Sequence, residues 1–160
     1  MADGPVIQID KPIVLLGMMG AGKSSLGVRL GEALGLKFRD ADTEIEKAAQ
    51  MSIPEIFENH GETAFREGER RVILRLLTEG PQVLALGGGA FVNDETREQI
   101  LAQAHSIWLD VPLDELVRRA QTQPLAGRTK RARQIKRAAR GPRAAVCQGR
   151  FKGRCRRRHA

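Results

Sequence analysis

Residues 13–25 read Ile-Val-Leu-Leu-Gly-Met-Met-Gly-Ala-Gly-Lys-Ser-Ser, and the order of residue types in this stretch decides the fold. Ile13, Val14, Leu15 and Leu16 form an unbroken apolar run, the pattern of a strand buried on both faces. Gly17, Gly22, Lys23 and Ser24 then fit G-x-x-x-x-G-K-[ST], a loop whose backbone N–H groups turn inward around phosphate oxygens. Helical spacing follows, with Leu26, Leu30, Ala33 and Leu34 expected on one face and Gly35 as the C-terminal stop. The helix start adds partial positive charge, Lys23 reaches the terminal phosphates, and Ser24 offers a hydroxyl to Mg²⁺. A chance glycine turn explains the loop alone but not the buried strand before it and the helix after it. The stretch points to nucleoside-triphosphate binding.

Composition narrows the rest. A chain of 160 residues supports one domain with a real core. It contains no run of about 18 apolar residues that would span a membrane. Acids and a proline in the first ten residues argue against a secretory leader. Cys147 and Cys155 stand without metal-ligand company, so free thiols and a cytoplasmic location are expected. The net charge of +8 averages two unlike polymers. Residues 1–127 hold 13 Lys/Arg against 19 Asp/Glu, a balance of −6, whereas residues 128–160 hold 14 Lys/Arg and no acid, +14. Composition therefore marks a boundary between a core, residues 1–127, and a basic tail, residues 128–160.

Along the core, strands and helices alternate. Residues 1–12 read as a lead-in arm, and Leu36 to Asp42 as a short strand ending in two acids. Thr43 with Glu46, and Ser52 with Glu55, have capping-box spacing and predict two short helices. Gly61 interrupts before a longer helix, Glu62 to Thr78, with Phe65, Val72, Ile73, Leu76 and Leu77 on its apolar side. Gln82 to Leu86 is a buried strand that ends in Gly87-Gly88-Gly89. Asn93 caps a helix to about Gln103, Ser106 to Leu109 is a further strand, and Asp110 to about Ala120 a further helix. Continuous apolar strands alternating with helices imply an α/β fold, a parallel sheet with helices on both faces. Ligands of such sheets gather at the carboxyl ends of the strands. The phosphate loop, Asp40/Asp42 and Gly87–Gly89 are thus expected to converge on one crevice.

Asp40 and Asp42, two apart on the expected strand, point to the same side, within reach of a metal-bound phosphate and a neighbouring hydroxyl. Helix capping accounts for one of them and not for both. Arg66 lies in the run Phe65-Arg66-Glu67-Gly68-Glu69, and taken alone it reads as a solvated helix residue in a weak ion pair. Three glycines directly after a buried strand serve no packing purpose and admit a ligand close to the backbone.

This set, G-x-x-G-x-G-K-S, then D-x-D about 17 residues on, then F-R-x-x-E, then a strand ending in G-G-G, resembles the shikimate kinases from about Ile13 to Gly127. The resemblance implies a three-layer P-loop kinase fold and transfer of the ATP γ-phosphoryl group to the 3-hydroxyl of shikimate, on the route to chorismate and the aromatic amino acids. By position, Gly20, Ala21, Gly22, Lys23, Ser24 and Ser25 would hold the ATP phosphates, with Ser24 and Asp40 serving Mg²⁺. Asp42 would be the base for the reacting hydroxyl. Arg66 and the backbone of Gly87, Gly88 and Gly89 would hold the carboxylate and ring hydroxyls of shikimate. Such a division suits phosphoryl transfer, which needs alignment and charge neutralisation more than bond-making by the protein.

The chain departs from the family pattern at Gln123, and the resemblance is lost from Arg128 onward. Family members carry R-P-L-L in a lid over ATP, and here Gln123 precedes Pro124-Leu125, with Arg118 and Arg119 nearby as partial substitutes. A helix, an R-x-P-L-Y segment with a substrate-binding arginine, a final strand and a C-terminal helix are then expected and are not legible in Arg128 to Ala160. With no acids and scattered apolar residues, that tail is expected to be disordered. One account is a polybasic arm that binds polyanions nonspecifically. The other is translation in a shifted frame: Pro142 to Arg156, PRAAVCQGRFKGRCR, is compatible one base downstream with R-A-P-L-Y-A-K-A-D-L-K-V-D-V. The frame account restores the missing segment at its expected place and is preferred, and it implies impaired turnover. The other readings are a gluconate-type kinase, a nucleic-acid binder acting through the tail, and a nonfunctional product. A monomer without membrane or specific nucleic-acid partners is expected.

Overall fold

The apolar run forms strand β1, Ile13–Gly17, every residue of which is buried. The computed structural model describes residues 8–122. β1 lies between β3 (Val83–Ala85) and β4 (His105–Leu109), and β2 (Phe38–Asp40) pairs with the outer side of β3. Every pairing is parallel, in the order β2-β3-β1-β4, as unbroken apolar strands joined by helices require.

Alternation along β1 divides the core into two layers. Val14 and Leu16, with Leu84 and Leu86, face helices α2 (Ala41–Ala49), α3 (Ile53–Thr78) and α4 (Asp94–Gln103). Ile13 and Leu15, with Val83, face Leu30 and Leu34 of α1 (Lys23–Leu34) on the opposite side. The three-layer arrangement follows directly. A third cluster joins Ala21 of the phosphate loop to Leu116 and Ala120 of α5 (Leu113–Thr122).

Several local expectations need correction. The strand expected over Leu36 to Asp42 ends at Asp40, and the helix expected from Thr43 begins at Ala41. Asp40 is its N-cap, accepting from the Asp42 backbone N–H at 3.1 Å, so a cap nearer the strand displaces the Thr43 box. Asp42 therefore lies in the first helical turn, and the strand argument for placing it beside Asp40 does not hold. The packed face of α1 keeps Leu30 and Leu34 of the expected repeat and departs from it at Leu26 and Ala33. Leu26 is 40% exposed and Ala33 is exposed, while Gly27 and Gly31 are buried under Phe38. Two glycines bring the helix axis so near β2 that a phenylalanine from the sheet, rather than leucines from the helix, fills the contact. α5 begins at Leu113 because Pro112 disfavours helical geometry at Val111.

The Ser52–Glu55 capping box, the break at Gly61 and the Asn93 cap stand where expected. Among the described residues no helix is long and apolar enough to cross a membrane. Gln123, the core–tail boundary at 127/128, both cysteines, and the expected absence of a final strand and C-terminal helix fall outside the described residues.

Candidate active site

At the carboxyl end of β1 the chain turns through Gly17–Gly22 into α1. Gly22 caps that helix with φ 93°, a left-handed conformation that glycine adopts without steric cost. The Lys23 ammonium donates to the Gly17 and Met18 carbonyls at 2.9 and 3.0 Å. Burial pushes its pKa down, opposed by the nearby Asp42 and Asp40 carboxylates. Gly20 and Ala21 form the outer turn, Ala21 being buried against Leu116 and donating its N–H to the Met18 carbonyl at 3.1 Å. Ser24 and Ser25 open α1, both exposed.

Asp40 joins the phosphate loop to the next strand end. Its Oδ2 accepts from the Ser24 hydroxyl at 2.9 Å, while its Oδ1 caps α2. The pair provides one hydroxyl and one carboxylate. Among the described residues no group of three or more His, Cys, Asp or Glu could hold a metal ion. This donor set fits Mg²⁺, which keeps waters and substrate phosphates and takes only one or two protein ligands. It does not fit a metal that needs a full protein cage.

Asp42 faces the end of β3. A Cβ built on Gly87 would lie 3.9 Å from Asp42 Oδ1 and 4.0 Å from Glu69 Oε1, and one on Gly88 would lie 3.8 Å from the Gly17 carbonyl. Phosphate loop, Asp40/Asp42 and Gly87–Gly89 therefore meet, as the sequence predicts. Burial raises the Asp42 pKa, and the Asp40 and Glu69 charges raise it further. A higher pKa makes this carboxylate a better proton acceptor than an exposed aspartate.

Arg66 and Glu69 project from α3 into the same region. Arg66 Nη1 donates to Glu69 Oε2 at 2.8 Å, and Nη2 contacts Glu62 Oε1 at 3.4 Å. Desolvation works against the Arg66 charge, but these two carboxylates outweigh it and leave its pKa raised. Its guanidinium also lies 5.2 Å from the Phe65 ring centroid. The reading of Arg66 as part of a plain surface pair is corrected by Glu69, which is only 6% exposed.

Sequence reasoning did not single out Glu69, although its position carried a signal. Phe65, Glu69, Val72, Ile73 and Leu76 share one helical stripe, all buried, so Glu69 is a charge on an apolar face. A cavity of about 370 Å³ opens beside these groups, lined in part by Arg66, Glu69, Arg70 and Gly89. On the other side of the phosphate loop, Arg119 Nη1 reaches the Gly20 and Ala21 carbonyls, each at 3.4 Å. Its Nε is held by Glu115 at 2.8 Å. Bonds from Arg118 and Arg119 lower the Glu115 pKa to about 2. Arg118 makes its pair with Glu115 on the surface, so of the two only Arg119 reaches the loop.

A family model described as shikimate kinase matches residues 19–148. The shikimate kinase of Rhodopseudomonas palustris is 61% identical over 112 residues, covering 70% of this chain and 55% of that protein. The chain thus spans about half the length of the curated relatives it matches. Among solved structures, a shikimate kinase from Acinetobacter baumannii in complex with shikimate superposes with a TM-score of 0.69 at 34% identity, covering 79% of this chain and 74% of that one. The shikimate kinase from Bacteroides thetaiotaomicron gives a TM-score of 0.73 at 29% identity, covering 82% and 77%.

Proposed function

The chain belongs to the shikimate kinase family, and from that premise we propose that it transfers the γ-phosphoryl group of ATP to the 3-hydroxyl of shikimate. The observation that carries the reading is the meeting of three loops. Asp40 binds Ser24 at 2.9 Å, and the space over Gly87 lies 3.9 Å from Asp42 and 4.0 Å from Glu69. A nucleotide phosphate on the first loop and a hydroxylated acid on the third would then be adjacent, with Asp42 between them.

In this scheme the backbone of Gly20–Ser25 and the Lys23 ammonium hold the β- and γ-phosphates. Ser24 and Asp40 would hold Mg²⁺, which would supply charge neutralisation at the phosphate oxygens. Arg66, braced by Glu69, and the backbone of Gly87–Gly89 hold the acid. The shikimate O3 attacks Pγ, its bond to phosphorus forms as the bridging bond to the β-phosphate breaks, and its proton passes to Asp42. ADP leaves carrying the negative charge of the broken bond. The base is needed late, because the transition state is loose. We place this reaction in the cytoplasm and assign it to a monomer.

Turnover by this 160-residue chain is expected to be weak. Gln123 replaces the lid arginine, and the residues after 127 lack the family's second substrate arginine. The test is a coupled ADP-release assay with shikimate and with gluconate. It compares this chain with one in which residues after about 126 follow the downstream frame. Shikimate-dependent release, restored in the reframed chain, supports the reading. Release that follows gluconate, or is indifferent to both, defeats it. Equal rates for the two chains would remove the frame account alone.

A further inference from the structure

We propose that Arg70 is a second anchor for the substrate carboxylate and sets the preference of the site for an acid over a neutral polyol. The inference rests on the reading above and deepens it. Arg66 and Arg70 are four apart on α3, one turn along the same face, and both line the 370 Å³ cavity beside Gly89. Two carboxylates already balance the Arg66 charge, Glu69 through Nη1 and Glu62 through Nη2. Glu62 and Glu69 also line the cavity. Without Arg70 the charged lining would be two carboxylates against one guanidinium, a surface that repels an acid.

Arg70 is differently placed. It bonds Glu95 of α4 through Nη1 alone, at 2.5 Å. Its Nε and Nη2 have no partner among the described residues. Those two groups share one edge of the guanidinium, the fork that receives a carboxylate with two parallel hydrogen bonds. Glu95 is 65% exposed and Arg70 39%. An exposed pair of this kind holds its partners weakly and leaves Arg70 able to turn. The order of the groups from Asp42 to the cavity fits the chemistry. Gly87 adjoins Asp42, Gly89 adjoins Arg66, and Arg70 stands one turn farther along α3. A ring that presents its hydroxyl to Asp42 directs an acid substituent on the far side toward Arg66 and Arg70.

A purely structural bridge between α3 and α4 would explain the Arg70–Glu95 pair equally well, so the test must detect charge recognition rather than folding. Full-length chain is titrated calorimetrically with shikimate and with the alcohol in which hydroxymethyl replaces the carboxylate. Variants Arg70→Gln, Arg70→Lys and Glu95→Gln are compared, with thermal melting and binding of a fluorescent ATP analogue as controls. Arg70→Gln should weaken shikimate binding about tenfold and leave the alcohol unaffected. Arg70→Lys should fall between the two, Glu95→Gln should bind shikimate more tightly, and the ATP analogue should bind alike to all. Equal affinity of parent and Arg70→Gln for shikimate overturns the inference, as does an equal loss for acid and alcohol. A parent chain that binds the ATP analogue but not shikimate overturns the functional reading itself, and this inference with it.

Discussion

Replacing Gly89 with alanine tests whether the Arg66–Glu69 pair holds the acid site together. A Cβ at Gly89 would fall on Arg66 Nη1, with Cζ at 3.1 Å and Nη2 at 3.2 Å. The methyl group cannot yield, so the guanidinium at the end of the flexible Arg66 side chain must shift, which weakens its hold on Glu69, a residue only 6% exposed. Breaking a fully buried pair costs about 3–5 kcal/mol. The Arg66 side chain is 44% exposed, so water and Glu62 recover part of that loss. A net cost of about 1–2 kcal/mol is expected. For a chain of this size that lowers the melting temperature by roughly 2–8 °C. Shikimate affinity should fall at least about tenfold, because its guanidinium partner has moved. ATP binding should not change. Gly87→Ala is the control, since its Cβ would meet Asp42 and Glu69 only at ordinary contact distances of 3.9 and 4.0 Å. It should melt like the parent. Should Gly89→Ala melt within a degree of the parent and bind shikimate equally well, the pair does not organise the site and the reasoning is refuted.

Asp42→Asn should abolish turnover and stabilise the fold at neutral pH, because burial and the Asp40 and Glu69 charges raise the Asp42 pKa. The folded state holds this proton more tightly than the unfolded chain does. Stability of the parent therefore declines as pH rises from the ordinary 3.8 through the raised value, and the advantage of the variant over the parent should vanish below pH 3.8 in urea titrations. Gly31→Ala should destabilise by about 1–2 kcal/mol despite the better helix propensity of alanine. Its Cβ would lie 2.7 Å from the Leu36 carbonyl, which is backbone and cannot move aside. Gly68→Ala has nothing within 4 Å and should stabilise by about 0.5–1 kcal/mol, both read from urea midpoints. Ser24→Ala should raise the Mg²⁺ concentration for half-maximal ATP turnover about tenfold and leave shikimate affinity unchanged. A shift in shikimate affinity instead would move Ser24 out of the metal site.

Much of this architecture is legible from local pattern. The Ile13–Leu16 run and the glycine–lysine–serine loop after it lie in one short window, and so do the Ser52 and Asn93 caps. What escaped was set by contacts between distant segments. Asp42 reads as a strand residue until Asp40 is seen to cap α2, because period-two spacing cannot reveal where a strand stops. Leu30 and Leu34 of the α1 repeat do face the sheet, but Leu26 and Ala33 do not, because Phe38 is seated on Gly27 and Gly31. Glu69 was visible as an acid within an apolar stripe, yet its role depends on Arg66 beside it and on Gly87 in the loop after β3. Arg119 lies 98 residues from Ala21 in sequence, and no spacing rule could have brought the two together.

Asp40 has both carboxylate oxygens engaged, one by the Ser24 hydroxyl and the other by the Asp42 backbone. Donor and acceptor halves of the pocket are thereby yoked through a single side chain. Under the proposed roles, a cation drawing on one oxygen would alter the hold of the other on the turn that carries Asp42. A substitution at Asp40 would then disturb both sides at once, and loading the nucleotide would help to align Asp42, the proton acceptor of the proposed reaction.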